Sequence, residues 1–368
     1  MYVMTANRIL VYRLGHLGDT LIALPALAAI RNAFPVAHIA LLSNFHSPTE
    51  RVSPEHVIPD GLIDEWLTYE SSDTGSKAIE MARLLVRLRI KKFDTLVYLA
   101  PRIRPERDVR RDLLFFRSAG MTQVIGDRGR EPMPERGSVG LPRVDHEADH
   151  LLRRLSLSGI QVPERRNATI DLALTPGEQA EADAWLGKHV AGAGTLVGFA
   201  PGSKWPSKVW PEDRFAEVGL QLIASRKIFP IVFGGPEDRE LADRLIKGWG
   251  RGANAAGELS VRLAAAALSR CDLYVGNDTG TMHLAAAVNT KCVVLMSALD
   301  WPGHWNPYGK GHVVLRRSVP CEGCLLQICD KEGMRCLKEI PVEEVVAACE
   351  EVLIDESRSV EVLGDVSV

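Results

Sequence analysis

No uninterrupted apolar stretch in the 368-residue chain is long enough to span a bilayer. Its opening, MYVMTANRILVYRLGHLGD, has neither the long apolar core nor the small-residue cleavage site of a signal peptide, so a cytoplasmic enzyme is expected. Positive charge is not in excess either: the formal net charge of −3 argues against a general nucleic-acid binder. There is no short-period repeat and no low-complexity tract. The cysteines number seven, odd and unevenly spread, which speaks against a disulfide framework in a reducing compartment. Cys271, Cys292 and Cys349 lie in apolar contexts and read as ordinary buried thiols. The dinucleotide fingerprint Gly-x-Gly-x-x-Gly is missing, which disfavours a nicotinamide cofactor.

What is present is an ordinary globular composition, 46% apolar and 25% charged, at a length that suits two domains. A strand at Ile9 to Tyr12, a glycine-bearing turn, a helix from about Thr20 to Ala33 and a strand at His38 to Leu42 form the unit that builds a parallel sheet. A helical stretch, Lys77 to Arg89, and a strand, Thr95 to Leu99, follow. The region from Gly159 to Gly194 mixes charge, proline and glycine and reads as the boundary. Beyond it the same βα rhythm resumes from Leu196 to Met296, and Pro341 to Leu353 reads as a helix. The expected fold class is α/β with two Rossmann-like domains, residues 1–175 and 176–340, followed by residues 341–368 as a helix and tail.

In open α/β sheets, ligands bind beyond the carboxyl ends of the strands, and four loops there carry polar chemistry. In Arg13-Leu14-Gly15-His16-Leu17-Gly18-Asp19-Thr20, Asp19 reads either as a helix cap or as a general base. In Ala200 to Pro211, Ser203, Lys204 and Lys208 suit a diphosphate, against the plainer reading of solvated surface lysines. In Phe233-Gly234-Gly235-Pro236-Glu237-Asp238-Arg239, an acid is placed for ribose hydroxyls, or merely favours the first turn of the next helix. In Gly276 to Ala287, Asp278 suits sugar hydroxyls, Thr279 and Gly280 a phosphate at the helix start, and His283 lies one turn further in.

Together these loops resemble the ADP-heptose:lipopolysaccharide heptosyltransferase family of GT-B glycosyltransferases. The matching runs are RLGHLGDTLIALPAL, PGSKWPSKVWP, FGGPEDRELADRL and NDTGTMHLAAAV, in the family's order and spacing, with WPGHWNPYGKGHVVLR and the cysteine-bearing tail after them. The resemblance implies that Asp19 deprotonates an acceptor hydroxyl and that Ser203 and Lys208 bind the donor diphosphate. It implies Asp238, with Glu237, on the ribose, backbone near Leu259 along the adenine, and Asp278, Thr279, Gly280 and His283 on sugar and phosphates.

Two features stand apart. Cys321, Cys324, Cys329 and Cys336 form a cluster that reads as a structural zinc or iron site or as a loop of buried thiols. Arg102, Arg104, Arg107, Arg110 and Arg111, in a proline-bearing loop, are expected with Gly18 to meet a phosphorylated glycolipid acceptor, which would bring the protein to the inner face of the cytoplasmic membrane. The resemblance also implies that the two domains face each other across a cleft, with residues 1–175 taking the acceptor, 176–340 the nucleotide sugar and the helix of 341–368 packing back on the first domain, and that the reaction is a single inverting displacement on ADP-heptose. No carboxylate pair for Mg²⁺ stands in these loops, so no cofactor is expected for catalysis. A nucleotide-sugar epimerase or hydrolase of the same architecture, and a non-catalytic nucleotide binder, are the competing readings.

Overall fold

The computed structural model of the chain describes residues 6–45, 52–70, 77–138, 140–164, 168–190 and 194–354. Residues 355–368 of the expected tail, and 165–167 and 191–193 of the expected boundary, lie outside the described residues. Two compact units are present. One comprises Met1–Met133 and Glu147–Ala168, the other Pro134–His146 and Thr169–Val368. The stretch 134–146, expected in the first domain, therefore belongs to the second unit.

In the first unit the elements run β1 (Arg8–Tyr12), α1 (Leu17–Ala33), β2 (His38–Phe45), β3 (Glu65–Glu70), α2 (Lys77–Lys91), β4 (Thr95–Tyr98), α3 (Glu106–Ser118), β5 (Gln123–Ile125) and α4 (Glu147–Leu157). The strands form one parallel sheet in the order β3-β2-β1-β4-β5. The cores of β1 and β4, ILVY and TLVY, are buried throughout, as parallel strands covered on both faces require. The arginine stretch read as a loop is half helix. From Glu106 onward α3 buries Val109, Asp112 and Phe116, a helical spacing hidden in the sequence by surrounding charge.

The second unit contains α5 (Pro176–His189), β6 (Leu196–Ala200), α6 (Glu212–Arg226), β7 (Phe229–Val232), α7 (Arg239–Trp249), β8 (Ala253–Asn254), α8 (Val261–Leu268), β9 (Leu273–Asn277), α9 (Gly280–Ala287), β10 (Cys292–Met296), β11 (Val313–Arg316), α10 (Arg335–Lys338) and α11 (Val342–Ile354). Its sheet is also parallel, ordered β11-β10-β9-β6-β7-β8. Helix α5 lies inside the expected boundary. A reciprocal cap starts it: the Glu178 N–H donates to Thr175 Oγ1 and the Thr175 N–H donates to Glu178 Oε2. The tail helix also departs from expectation. Val342, Val345, Val346, Cys349 and Val352 of α11 are buried in the core of the second unit with Trp210, Phe215 and Leu222.

Trp210 anchors that core. It is fully buried, meets Phe215 edge-on at 5.1 Å, and its indole N–H donates to Ile340 O at 3.3 Å. Trp210→Ala should cost about 3–5 kcal/mol, read as a lower urea midpoint.

Candidate active site

Each sheet reverses its strand order once, and ligand sites form at such points. In the first unit the chain builds β1, β2 and β3 outward, then returns to place β4 on the other side of β1. The loops after β1 and β4 flank the reversal, and Arg13 joins them: its Nη1 donates to Leu99 O at 2.8 Å.

Asp19 is the third residue of α1. Its Oδ2 accepts the His16 N–H at 2.8 Å, which closes the helix start, while Oδ1 faces Arg13 Nη2 at 3.3 Å. Gly15 makes this fold-back feasible. At φ +131°, a Cβ there would fall 2.1 Å from the Asp19 Cγ. The two sequence readings are thus not exclusive, since one carboxylate caps the helix and stands at the strand-order reversal. Gly18 lies beside it in the same turn, half-buried.

The arginines divide. Arg102 is buried and donates to Glu131 O and Pro132 O; Arg104 grips Asp112 through two bonds of 2.6 and 2.9 Å. Both are held by the protein itself. Arg107, Arg110 and Arg111 are exposed on α3, the last two beside Glu106 and Asp108.

In the second unit the reversal lies between β6 and β9. The loops after these strands carry two of the predicted motifs, and Asn277 staples them. It is fully buried; its Nδ2 donates to Pro201 O at 2.7 Å and its Oδ1 accepts the Trp210 N–H at 3.1 Å. Sequence reading gave Asn277 no role, although an amide at a strand end between two polar loops is suited to such bridging. Across the staple, Lys208 Nζ lies 2.7 Å from Asp278 Oδ2 and 5.4 Å from the centre of the Trp205 ring. Ser203 Oγ accepts the Trp205 N–H and shapes the turn, and Lys204 is exposed.

Helix α9 opens at Thr279 with no side-chain cap, leaving the N–H groups of its first turn, from Gly280 on, for an anion. His283 is buried one turn in. Its Nδ1 has no partner among the described residues, and burial, aided by the charges of His146 and Lys208, pushes the ring down to about 3, so it is neutral near pH 7. Trp305 meets it edge-on at 6.4 Å. That indole is fixed by Asp300, whose Oδ2 accepts the Trp305 N–H at 2.8 Å. Burial raises the Asp300 carboxyl, but bonds from His304, Trp301 and Trp305 outweigh it and leave Asp300 below the ordinary range. His146 is a second residue that sequence reading missed. It bonds Asn306 O at 2.9 Å and packs on Tyr308, within a stretch whose composition indicates only a loop.

The third loop separates Glu237 from Asp238. Asp238 turns inward and accepts the Gly235 N–H at 2.9 Å; a Cβ on Gly202 would fall 1.9 Å from its Oδ1. Burial, with Glu237 nearby, pushes the Asp238 carboxyl up. Glu237 is exposed over Gly235, and Leu259 is half-buried.

Cys321, Cys324, Cys329 and Cys336 line one cavity with Ser207, as free thiols. Burial pushes the Cys321 and Cys336 thiols up. Among the described residues no group of three or more His, Cys, Asp or Glu has metal-holding geometry, so the zinc or iron reading gains no support here. The loop does have a mechanical role: Ser207 donates from Oγ to Leu326 O and from N–H to Gln327 O, tying it to the lysine-bearing turn. Among the described residues no helix is long and apolar enough to cross a membrane.

Residues 155–334 match glycosyltransferase family 9 (heptosyltransferase). Lipopolysaccharide heptosyltransferase 1 of Pseudomonas aeruginosa is 26% identical over 336 residues, 88% of this chain and 87% of that protein. The solved ADP-heptose LPS heptosyltransferase II of E. coli superposes with a TM-score of 0.65 at 21% identity, over 95% of this chain and 100% of that one. The E. coli heptosyltransferase WaaC with ADP-2-deoxy-2-fluoro heptose gives 0.59 at 19% identity, over 94% and 99%. These likenesses show the GT-B fold.

Proposed function

We propose that this chain, whose residues 155–334 match glycosyltransferase family 9 (heptosyltransferase), moves heptose from ADP-heptose to a lipopolysaccharide-core or related glycan acceptor. The observation that carries this reading is the Lys208–Asp278 pair beside the uncapped start of α9. A diphosphate set there meets one ammonium and a turn of N–H groups, which supply positive charge to the leaving group. His283, neutral with an unpartnered Nδ1, offers a hydrogen bond without adding charge. Asp278 then turns to the sugar hydroxyls.

Glu237, rather than Asp238, is assigned to the ribose, because Asp238 is already committed to its own loop. The backbone near Leu259 takes the adenine. Asp19 withdraws the proton from the acceptor hydroxyl as that oxygen attacks the anomeric carbon, and ADP departs from the opposite face with inversion. Exposed Arg107, Arg110 and Arg111 receive the anionic acceptor, placing the enzyme at the inner face of the cytoplasmic membrane.

A ligand bound only by the native state raises apparent stability. ADP should therefore raise the thermal midpoint more than UDP or GDP at equal concentration. A shift with UDP as large as that with ADP would remove the adenine site from this account.

A further inference from the structure

The Arg13 side chain reaches Asp19 twice. Its Nε donates to the Asp19 backbone O at 3.2 Å and its Nη2 to Oδ1 at 3.3 Å. Its Nη1 donates to Leu99 O at 2.8 Å and to Glu147 Oε1 at 3.4 Å. The arginine is 4% exposed and Glu147 0%. Glu147 is the first residue of α4, where an acid is favourable, yet the N-terminus of a helix does not by itself require a carboxylate to be wholly buried. A buried ion pair is a poor source of stability, since desolvating both charges offsets most of their attraction. An arrangement that ranks low as a stabiliser calls for another role.

The geometry supplies one. The guanidinium fork holds Asp19 at backbone and side chain together, and Glu147 and Leu99 O fix the far end of the same planar group. Rotation of Arg13 would release both ends. We propose that Arg13 and Glu147 are positioning residues that hold the Asp19 carboxylate in its proton-accepting orientation. This rests on the reading of Asp19 as the base, and neither residue touches substrate in it. The sequence placed Arg13 only as the first letter of a loop motif, and Glu147 lies 134 residues further along the chain.

Breaking a buried pair from one side costs more than removing both partners, and the Glu147 charge also acts on Arg130, Arg154 and His150. That difference separates a structural role from a positioning one. Arg13→Met and Glu147→Gln should each lower the thermal midpoint and kcat. The double variant should recover part of the midpoint yet remain at least ~10-fold below the parent in kcat, with donor KM and ADP affinity unchanged, because the misaimed base is not restored. Parental kcat in the folded double variant would overturn the inference.

Arg13→Lys gives an independent reading should the double variant not fold. A single ammonium pairs with Glu147 but lacks the fork that spans to Asp19. The expected result is a near-parental midpoint with kcat again at least ~10-fold down; parental kcat would overturn the inference equally. Asp19→Asn in the same assay distinguishes the two levels. A fast Asp19→Asn enzyme removes the base assignment itself, while a slow one beside a parental-rate double variant removes only the positioning pair.

Discussion

Asp19→Asn should fold normally, bind ADP as the parent does, and transfer sugar at least ~100-fold more slowly, since general base catalysis contributes about 10²–10⁴-fold. The asparagine amide oxygen remains able to accept the His16 N–H that Asp19 Oδ2 accepts at 2.8 Å, so the helix start survives. Proton-accepting capacity does not. ADP affinity by calorimetry and single-turnover transfer rates separate the two losses. Near-parental transfer with a normal melting curve would reduce Asp19 to a helix cap and send the search for the base elsewhere.

Lys208→Ala should fail differently, losing ADP affinity as well as turnover. In the proposed site its ammonium meets the diphosphate already in the ground state, and a charge-assisted hydrogen bond is worth about 1.5–3 kcal/mol, or roughly 10- to 100-fold in Kd. Turnover should fall by about 10²–10³-fold, because charge grows on the leaving group in the transition state. Asp278 adds to both effects. Its side chain is 5% exposed and pairs with Lys208 at 2.7 Å, so the variant leaves a buried, unneutralised carboxylate close to the proposed diphosphate site. Lys208→Ala/Asp278→Asn removes that repulsion and should regain part of the ADP affinity but little of the turnover. An unchanged ADP Kd in Lys208→Ala would take the lysine out of the diphosphate site.

Most strands and helices were legible because a parallel sheet covered on both faces writes itself as short apolar runs between helices, as in ILVY of β1 and CVVLM of β10. The polar loops were legible for a related reason: strand-end turns with Gly, Ser, Thr and Lys have little packing to do. Helix α3 was hidden because its buried set includes Asp112, which bonds Tyr98 and Arg104, so a charged letter occupies a core position. Helix α5 had a readable signal that composition masked, the Thr175 to Glu178 capping box.

What could not be read was pairing over long separations. Asn277 to Pro201 and Arg13 to Glu147 are contacts the chain makes only once folded. Glu237 and Asp238 illustrate the same limit at close range. Adjacent acids are equivalent on paper, and only the fold turns one inward against the Gly235 N–H.

The excursion of residues 134–146 into the second unit bears on the order in which the protein can be built. Leu141 N–H donates to Glu322 Oε1 at 2.6 Å, Val144 N–H to Pro302 O at 2.9 Å, and Pro134 O accepts the Trp301 indole N–H at 2.9 Å. Every one of these partners lies more than 150 residues downstream. Domains fold largely as units during synthesis, N-terminal first. Here α4, which follows the excursion, packs on α1 as part of the first unit, so that unit can close before the downstream partners of the intervening stretch are made. The ribosome must deliver residues 300–322 before the stretch has anywhere to bind. Translation therefore imposes a waiting period, during which an early segment stays open to solvent and chaperones until the last third of the chain emerges.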